Sequence, residues 1–192
     1  MKTANSKKIE EILTRGVEEI IKKESLVKKL SSGKKLRIKH GIDPTGPVIH
    51  LGNAIPFWKL RKFQDLGHQI VLIIGDFTGQ IGDSSDKESM RQPLTKAEVE
   101  KNMKTYKAQI GKILNLKKTK FVYNSKWLSR LNCQEILTKL ANQFTVAQIL
   151  ERENFMARYK EGKPINLTEF LYPLMQGYDS VVVKADLEIG GT

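Results

Sequence analysis

Apolar residues at Ile9, Ile12, Leu13, Val17, Ile20 and Ile21 recur at spacings of three and four between charged positions, which predicts an amphipathic helix packed on a core. After Ser31, Ser32 and Gly33 the pattern changes to short β-type runs. Leu36 to Ile42 is the first and Gln69 to Ile74 the second, each bounded by glycine, with one helix from about Gly52 to Gln64 between them. A strand, helix, strand unit of this kind is most naturally a right-handed parallel crossover. Thr95 with Glu98 forms a capping box, and Val99, Met103, Ile110 and Ile113 continue at helical spacing toward Leu116. Lys120 to Tyr123 reads as a third strand. Three more cap signals, Asn132 with Glu135, Thr145 with Gln148 and Asn166 with Glu169, mark residues 127 to 178 as a helical block. A last extended run, Asp186 to Ile189, leads into Gly190 and Gly191, and no internal repeat or low-complexity segment interrupts the series.

Alternating strands and helices imply an α/β domain with a parallel sheet, whose ligands sit beyond the carboxyl ends of the strands at a topological switch point. The loops after Ile42, Ile74, Tyr123 and Ile189 all open at that edge. A chain of 192 residues accommodates one domain, or one and a fraction. With 40% apolar and 28% charged residues it has the composition of a folded globular protein. The longest aliphatic run, Ile70 to Ile74, is far short of the roughly 20 residues that span a bilayer, and no apolar stretch follows the basic N-terminus. Neither a membrane span nor a signal peptide is expected. The single cysteine, Cys133, suits a reducing compartment, so a cytoplasmic location is expected. The net charge of +12 suits a polyanionic partner, but it equally suits solvated helix faces and does not decide between them.

Candidate chemistry concentrates in three places. The first is the string Gly41, Ile42, Asp43, Pro44, Thr45, Gly46, Pro47, Val48, Ile49, His50, Leu51, Gly52, Asn53, followed by Pro56, which is tolerated only near a helix start. The helix therefore begins near Gly52, which puts His50 and Asn53 beside a positive helix end suited to phosphate, while Gly52 leaves room for an adenine. A lone histidine before a helix is more often structural, so the whole string carries the argument. The second place is the glycine-rich loop Gly75, Asp76, Phe77, Thr78, Gly79, Gln80, Ile81, Gly82, Asp83, with Lys87 and Arg91 beyond it. Its carboxylates suit an ammonium group and its cations suit phosphate. The third is the stripe Tyr172, Gln176 and Asp179, which at i, i+4 and i+7 share one helix face while Phe170, Leu171, Leu174 and Tyr178 point elsewhere. A polar stripe is commonly a solvated face. In a lysine-rich chain, however, hydroxyl, amide and carboxylate together suit a small zwitterion better.

These strings, together with Tyr123, Asn124, Ser125, Lys126, Trp127 and the closing Ile189, Gly190, Gly191, Thr192, resemble the bacterial tyrosyl-tRNA synthetases, class I aminoacyl-tRNA synthetases, in order and across the whole chain. The resemblance implies a Rossmann-like parallel sheet with an inserted helical block, ending before a fifth strand. It implies a N-terminal helical segment at 1–34, a first half at 35–126, the insertion at 127–166 and the start of a second half at 167–192. The segment from His50 to Asn53 is similar to the class I "HIGH" signature, with Asn53 in place of its last histidine. By the resemblance, His50 and Thr45 bind the triphosphate in the transition state with Asn53 assisting, and Lys87 and Arg91 meet the leaving pyrophosphate. Gly41, Asp43, Pro44, Gly52, Gly190 and Gly191 then border ATP. Asp83, Tyr172 and Gln176 hold the tyrosine ammonium, Asp179 accepts from the phenol, and Thr78 and Asn124 complete that pocket. Lys39 stands where the best-known pattern has a second phenol partner, a tyrosine, and so leaves the reading of the hydroxyl open.

The implied reaction is in-line attack of the L-tyrosine carboxylate on the α-phosphorus of Mg-ATP, giving tyrosyl adenylate and pyrophosphate before transfer to tRNA(Tyr). It needs no enzyme nucleophile, and no metal or cofactor beyond the Mg2+ carried by ATP. The family's Lys-rich second signature and its anticodon-binding domain do not occur in these 192 residues. Little activity is therefore expected of the chain alone. The resemblance also implies a homodimer formed through the apolar block from Trp127 to Lys160. Three rivals stand beside this reading: a tryptophanyl enzyme, a nucleotidylyltransferase, and a non-catalytic module that binds RNA by charge.

Overall fold

A computed structural model describes residues 2–81 and 94–190. Helices α1 (Lys2–Thr14) and α2 (Lys23–Ser31) lead into β1 (Arg37–Ile42), α3 (Leu51–Asp65) and β2 (Gln69–Ile74). Next come α4 (Lys96–Met103), α5 (Tyr106–Ile110), β3 (Thr119–Tyr123) and a run of short helices, α6 (Ser125–Leu128), α7 (Cys133–Glu135), α8 (Val146–Leu150) and α9 (Glu153–Lys160). The long α10 (Leu167–Val183) and the short β4 (Leu187–Glu188) follow.

The four strands form one parallel sheet in the order β3-β2-β1-β4. Successive strands β1, β2 and β3 advance in one direction, and β4 then returns to the other side of β1. That reversal is the switch point of a doubly wound fold, and it lies between β1 and β4. The central β2 reads Gln-Ile-Val-Leu-Ile-Ile with five consecutive buried residues, as a strand covered on both faces must. Its Ile70, Leu72 and Ile74 pack with Phe57, Leu60 and Phe63 of α3 and with Ile12, Leu26 and Leu30 of the N-terminal helices. A second, smaller core gathers Leu140, Ile149, Phe155 and Leu174, with Phe170, Leu171 and Tyr178 packed on it. The apolar side of α10 therefore faces the helical block, and its polar stripe is turned toward the sheet. Among the described residues no helix is long and apolar enough to cross a membrane.

Two predicted helices are broken. The apolar spacing over 9–21 suggests one helix, but α1 ends at Thr14, Gly16 takes a left-handed φ of 61°, and Ile21 is 79% exposed. Glycine enters that backbone region without a Cβ penalty, so the helix ends there although the apolar spacing continues beyond it. The helix predicted from Lys96 toward Leu116 divides after Met103. Thr105, just past the break, donates its hydroxyl to the Pro47 carbonyl at 2.6 Å, and Tyr106 donates to the Gly46 carbonyl at 2.9 Å. Contacts with the loop after β1 there replace a continuous helix. All four capping boxes form as the spacing indicates, at Thr95, Asn132, Thr145 and Asn166.

β4 is only two residues long, yet it is tied to β1 at many points. The Asp186 carboxylate accepts from the Arg37 amide at 2.8 Å, the Asp186 amide donates to the Arg37 carbonyl, and the Ile189 amide donates to the Lys39 carbonyl. His40, buried edge-on against Phe57, meets the Ile189 carbonyl through Nδ1 at 2.8 Å. A carbonyl only accepts, so Nδ1 carries the proton, and burial depresses the pKa of this imidazole.

Candidate active site

Asp43 leaves the end of β1 and Thr78 follows the end of β2, so parallel pairing of the two strands sets them side by side. Asp43 Oδ1 accepts from the Thr78 hydroxyl at 2.7 Å, and Oδ2 accepts from the Tyr172 phenol of α10 at 3.0 Å. This close approach depends on Gly75. A Cβ at that position would lie 1.8 Å from Asp43 Oδ1 and 2.3 Å from Thr78 Oγ1, so no side chain fits.

The network continues beneath β3. Asn124 is 1% exposed; its amide donates to Thr78 Oγ1 at 3.0 Å and to Asp179 at 3.3 Å, and its carbonyl accepts from the Phe77 amide. Asp179 also accepts from the Trp127 indole N–H at 2.7 Å. Burial pushes the Asp179 carboxyl from 3.8 up to about 6, against the opposing pull of the Trp127 and Asn124 donors and the Lys39 charge. A carboxylate with two donors still has lone pairs for a further one.

The other side of α10 meets β4. Lys39 is fully buried and donates to Glu188 Oε1 at 2.7 Å and to the Gln176 backbone carbonyl at 3.1 Å. Gln176 Nε2 donates to the same Glu188 oxygen at 3.0 Å, and the Ser180 hydroxyl donates to the other at 2.9 Å. Lys39 makes no hydrogen bond to Asp179 among the described contacts. Its charge reaches that carboxylate across space and favours the ionised form.

At the opposite lip of the site, His50 caps α3, its Nδ1 accepting from the Asn53 amide at 3.3 Å, with the ring exposed. Gly52 lies close under that ring: a Cβ there would stand 3.1 Å from His50 Cε1. The first-turn N–H groups of this 15-residue helix suit an anion. Thr45 is held in a turn by its backbone N–H, which donates to the Asp43 carbonyl at 2.9 Å, and the buried Pro44 lies 3.4 Å from where a Gly79 Cβ would sit. A cleft of about 1030 Å3 lies between the N-terminal segment, at Leu13, Val17, Ile20 and Leu26, and the α3 and β4 side, at Gly52, Ile55, Lys59 and Gly190. Gly41 is exposed near the end of β1. Lys39, Asp43, Thr78, Asn124, Tyr172, Gln176 and Asp179 are thus gathered round the carboxyl ends of the strands. Gly52 and Gly190 line the cleft, His50 and Asn53 stand beside Gly52 at the start of α3, and Asp83, Lys87, Arg91 and Gly191 lie outside the described residues.

The model of the family described as tRNA synthetases class I (W and Y) matches residues 30–192. The chain belongs to this family. Among relatives of this class I synthetase, the tyrosine–tRNA ligase of Carboxydothermus hydrogenoformans is 55% identical over 186 residues, covering 95% of the chain and 45% of that protein. Tyrosine–tRNA ligase 2 of Vibrio vulnificus is 53% identical over 180 residues, covering 94% and 45%. The synthetase chain thus spans under half the length of these relatives. A C-terminally truncated mitochondrial tyrosyl-tRNA synthetase of Aspergillus nidulans shares the fold with a TM-score of 0.78 at 19% identity, over 100% of this chain and 63% of that one. A tyrosyl-tRNA synthetase of Archaeoglobus fulgidus complexed with L-tyrosine gives 0.74 at 27% identity, over 97% and 55%.

Several residues that build this site are not evident from the sequence. Asn102, Thr105, Tyr106 and Gln109 all bond carbonyls of the 44–47 turn and so hold the loop that carries Thr45 and leads to His50. Their helical spacing reads as an ordinary polar face. Trp127 belongs to a recognisable string, but its bond to Asp179 bridges 52 residues of sequence, and Glu188 lies in a run too short to show which way it faces.

Proposed function

We propose that this chain carries the amino-acid and nucleotide site of a tyrosine–tRNA ligase, in which L-tyrosine attacks ATP. The observation that carries the reading is Asp179, a buried carboxylate held in place by two donors and with acceptor capacity left for a phenol. A tyrosine carboxylate oxygen bonds to the α-phosphorus, the bond from that phosphorus to the bridging oxygen breaks, and pyrophosphate leaves with Mg2+. Gln176 and Tyr172 hold the ammonium together with Asp83, and Thr78 and Asn124 complete that pocket. Thr45, His50 and Asn53 meet the phosphates beside Gly52 and the end of α3, and Lys87 and Arg91 meet the pyrophosphate. Gly41, Asp43, Pro44, Gly190 and Gly191 border the nucleotide. Such a site works by positioning reactants and by placing cations and dipoles where charge develops. Transfer to tRNA(Tyr) and a cytoplasmic setting belong to the same reading, as does the division into segments 1–34, 35–126, 127–166 and 167–192.

Calorimetric titration with tyrosine, phenylalanine and tryptophan tests it. Tyrosine should bind more tightly than phenylalanine by about tenfold or more, the worth of one hydrogen bond to a charged acceptor. A preference for tryptophan would move the chain to the other branch of its family, and steep salt-dependent RNA binding with no amino-acid binding would favour an RNA module.

The helical block supports a homodimer in the same reading, because Leu137, Phe144, Val146 and Tyr159 are each more than half exposed there. Sedimentation at micromolar concentration should give a dimer; a monomer alone would remove this part of the proposal.

A further inference from the structure

Glu188 holds three donors at once: the Lys39 ammonium, the Gln176 side-chain amide and the Ser180 hydroxyl. Paired with a buried lysine, it is a carboxylate, and a carboxylate only accepts. That restricts its neighbour. A glutamine amide has two faces of opposite character, and in a pocket with mixed partners it can turn either one outward. Against Glu188 the Gln176 amide has to turn its NH2 inward, which leaves Oε1 as the atom it offers to a ligand. An amide oxygen suits an ammonium, whereas the NH2 would repel one.

We propose that Glu188 is a positioning residue that fixes the Gln176 carbonyl oxygen toward the α-ammonium of the amino-acid substrate, with Lys39 as the counter-charge that keeps Glu188 an obligate acceptor. This rests on the tyrosine-site reading given above. It also gives Lys39 a task apart from the phenol. Lys39 sits on β1, Gln176 on α10 and Glu188 on β4, so the orientation of one amide depends on all three elements meeting. Gln176 is half-buried, and its Nε2 already has a partner, so the orientation is set before any ligand arrives.

The test compares L-tyrosine with 3-(4-hydroxyphenyl)propionate, which keeps phenol and carboxylate and lacks the ammonium, by calorimetric titration of the full chain. Wild type should prefer tyrosine. In Glu188→Gln the new amide can donate as well as accept, so Gln176 is free to turn, and the preference should fall by about tenfold with little change for the analogue. Adding Gln176→Glu should restore it, because a carboxylate at 176 accepts from an ammonium in either orientation. A residue that merely braces β4 would weaken both ligands alike, and the second substitution would not bring the preference back. Should E188Q lose the fold, K39M/E188Q removes the ion pair as a unit and carries the same measurement. An undiminished preference in the variant overturns the role of Glu188 alone. Failure of the wild-type chain to bind either ligand overturns the tyrosine site and this inference with it.

Discussion

Replacing Asp179 by asparagine is expected to weaken tyrosine binding by roughly 10²-fold while changing phenylalanine binding by less than about threefold. Hydrogen bonds to charged groups are worth about 1.5 to 3 kcal/mol, and every 1.4 kcal/mol is about tenfold in affinity. Asparagine keeps the shape but replaces a full negative charge with a dipole, and one of its two polar atoms no longer accepts. Phenylalanine has no hydroxyl to lose. A pH profile tests the same group. With the carboxyl raised to about 6, the ionised acceptor is present above that value. Tyrosine affinity should therefore hold above pH 6 and fall about tenfold per unit below it, with phenylalanine flat across the range. Stability runs the opposite way. A carboxyl whose folded pKa is raised contributes stability in full below its ordinary value near 4, and this is lost as pH rises through 6, by on the order of 3 kcal/mol. The folded chain thus carries a charged acceptor at neutral pH at some cost to its stability. Equal losses for both amino acids would mean that Asp179 does not read the phenol.

Glu169→Ala should destabilise the chain by about 3 to 5 kcal/mol, the usual cost of removing one partner from a buried ion pair. Glu169 is 1% exposed and Arg158 6%, and the pair is two-pronged, at 2.5 and 3.1 Å. The substitution leaves the Arg158 guanidinium buried against the Pro164 carbonyl, and it removes the capping box in which Glu169 accepts from the Asn166 backbone amide at 2.9 Å. Both losses fall on the first turn of α10, the helix that carries Tyr172, Gln176 and Asp179. Urea unfolding should show the midpoint move down with the slope retained. R158M/E169L, which replaces the pair with apolar groups, should recover most of the difference, and no recovery would mean that the pair is not what holds this turn.

The parallel sheet was legible because β2 is a bare aliphatic run and because each loop rich in candidate site residues follows a strand. The capping boxes were legible because they are local: a hydroxyl or amide and an acid three residues on make their own bonds. The stripe on α10 could be read as one face for the same reason. Its partners could not. Lys39 was legible as a departure from pattern, but its burial against Glu188 comes from pairing across 149 residues, and periodicity carries no information over that distance. Gly16 shows the converse. A local left-handed turn ended a helix whose apolar spacing continued past it, because spacing records which side chains face the core and not whether the backbone between them is helical.

The return of β4 to the far side of β1 also orders events during synthesis. Strands β1, β2 and β3 are complete by Tyr123, so three strands of the sheet can assemble while later residues are still being added. Asp43 then waits 129 residues for Tyr172, and Lys39 waits 149 for Glu188. Through that interval the outer edge of β1 has no neighbour, and an unpaired strand edge invites another chain. A charged lysine on that strand, uncompensated until its own glutamate arrives, makes pairing with a wrong strand costly. Its partner Glu188 arrives on the same strand, β4, that covers that edge.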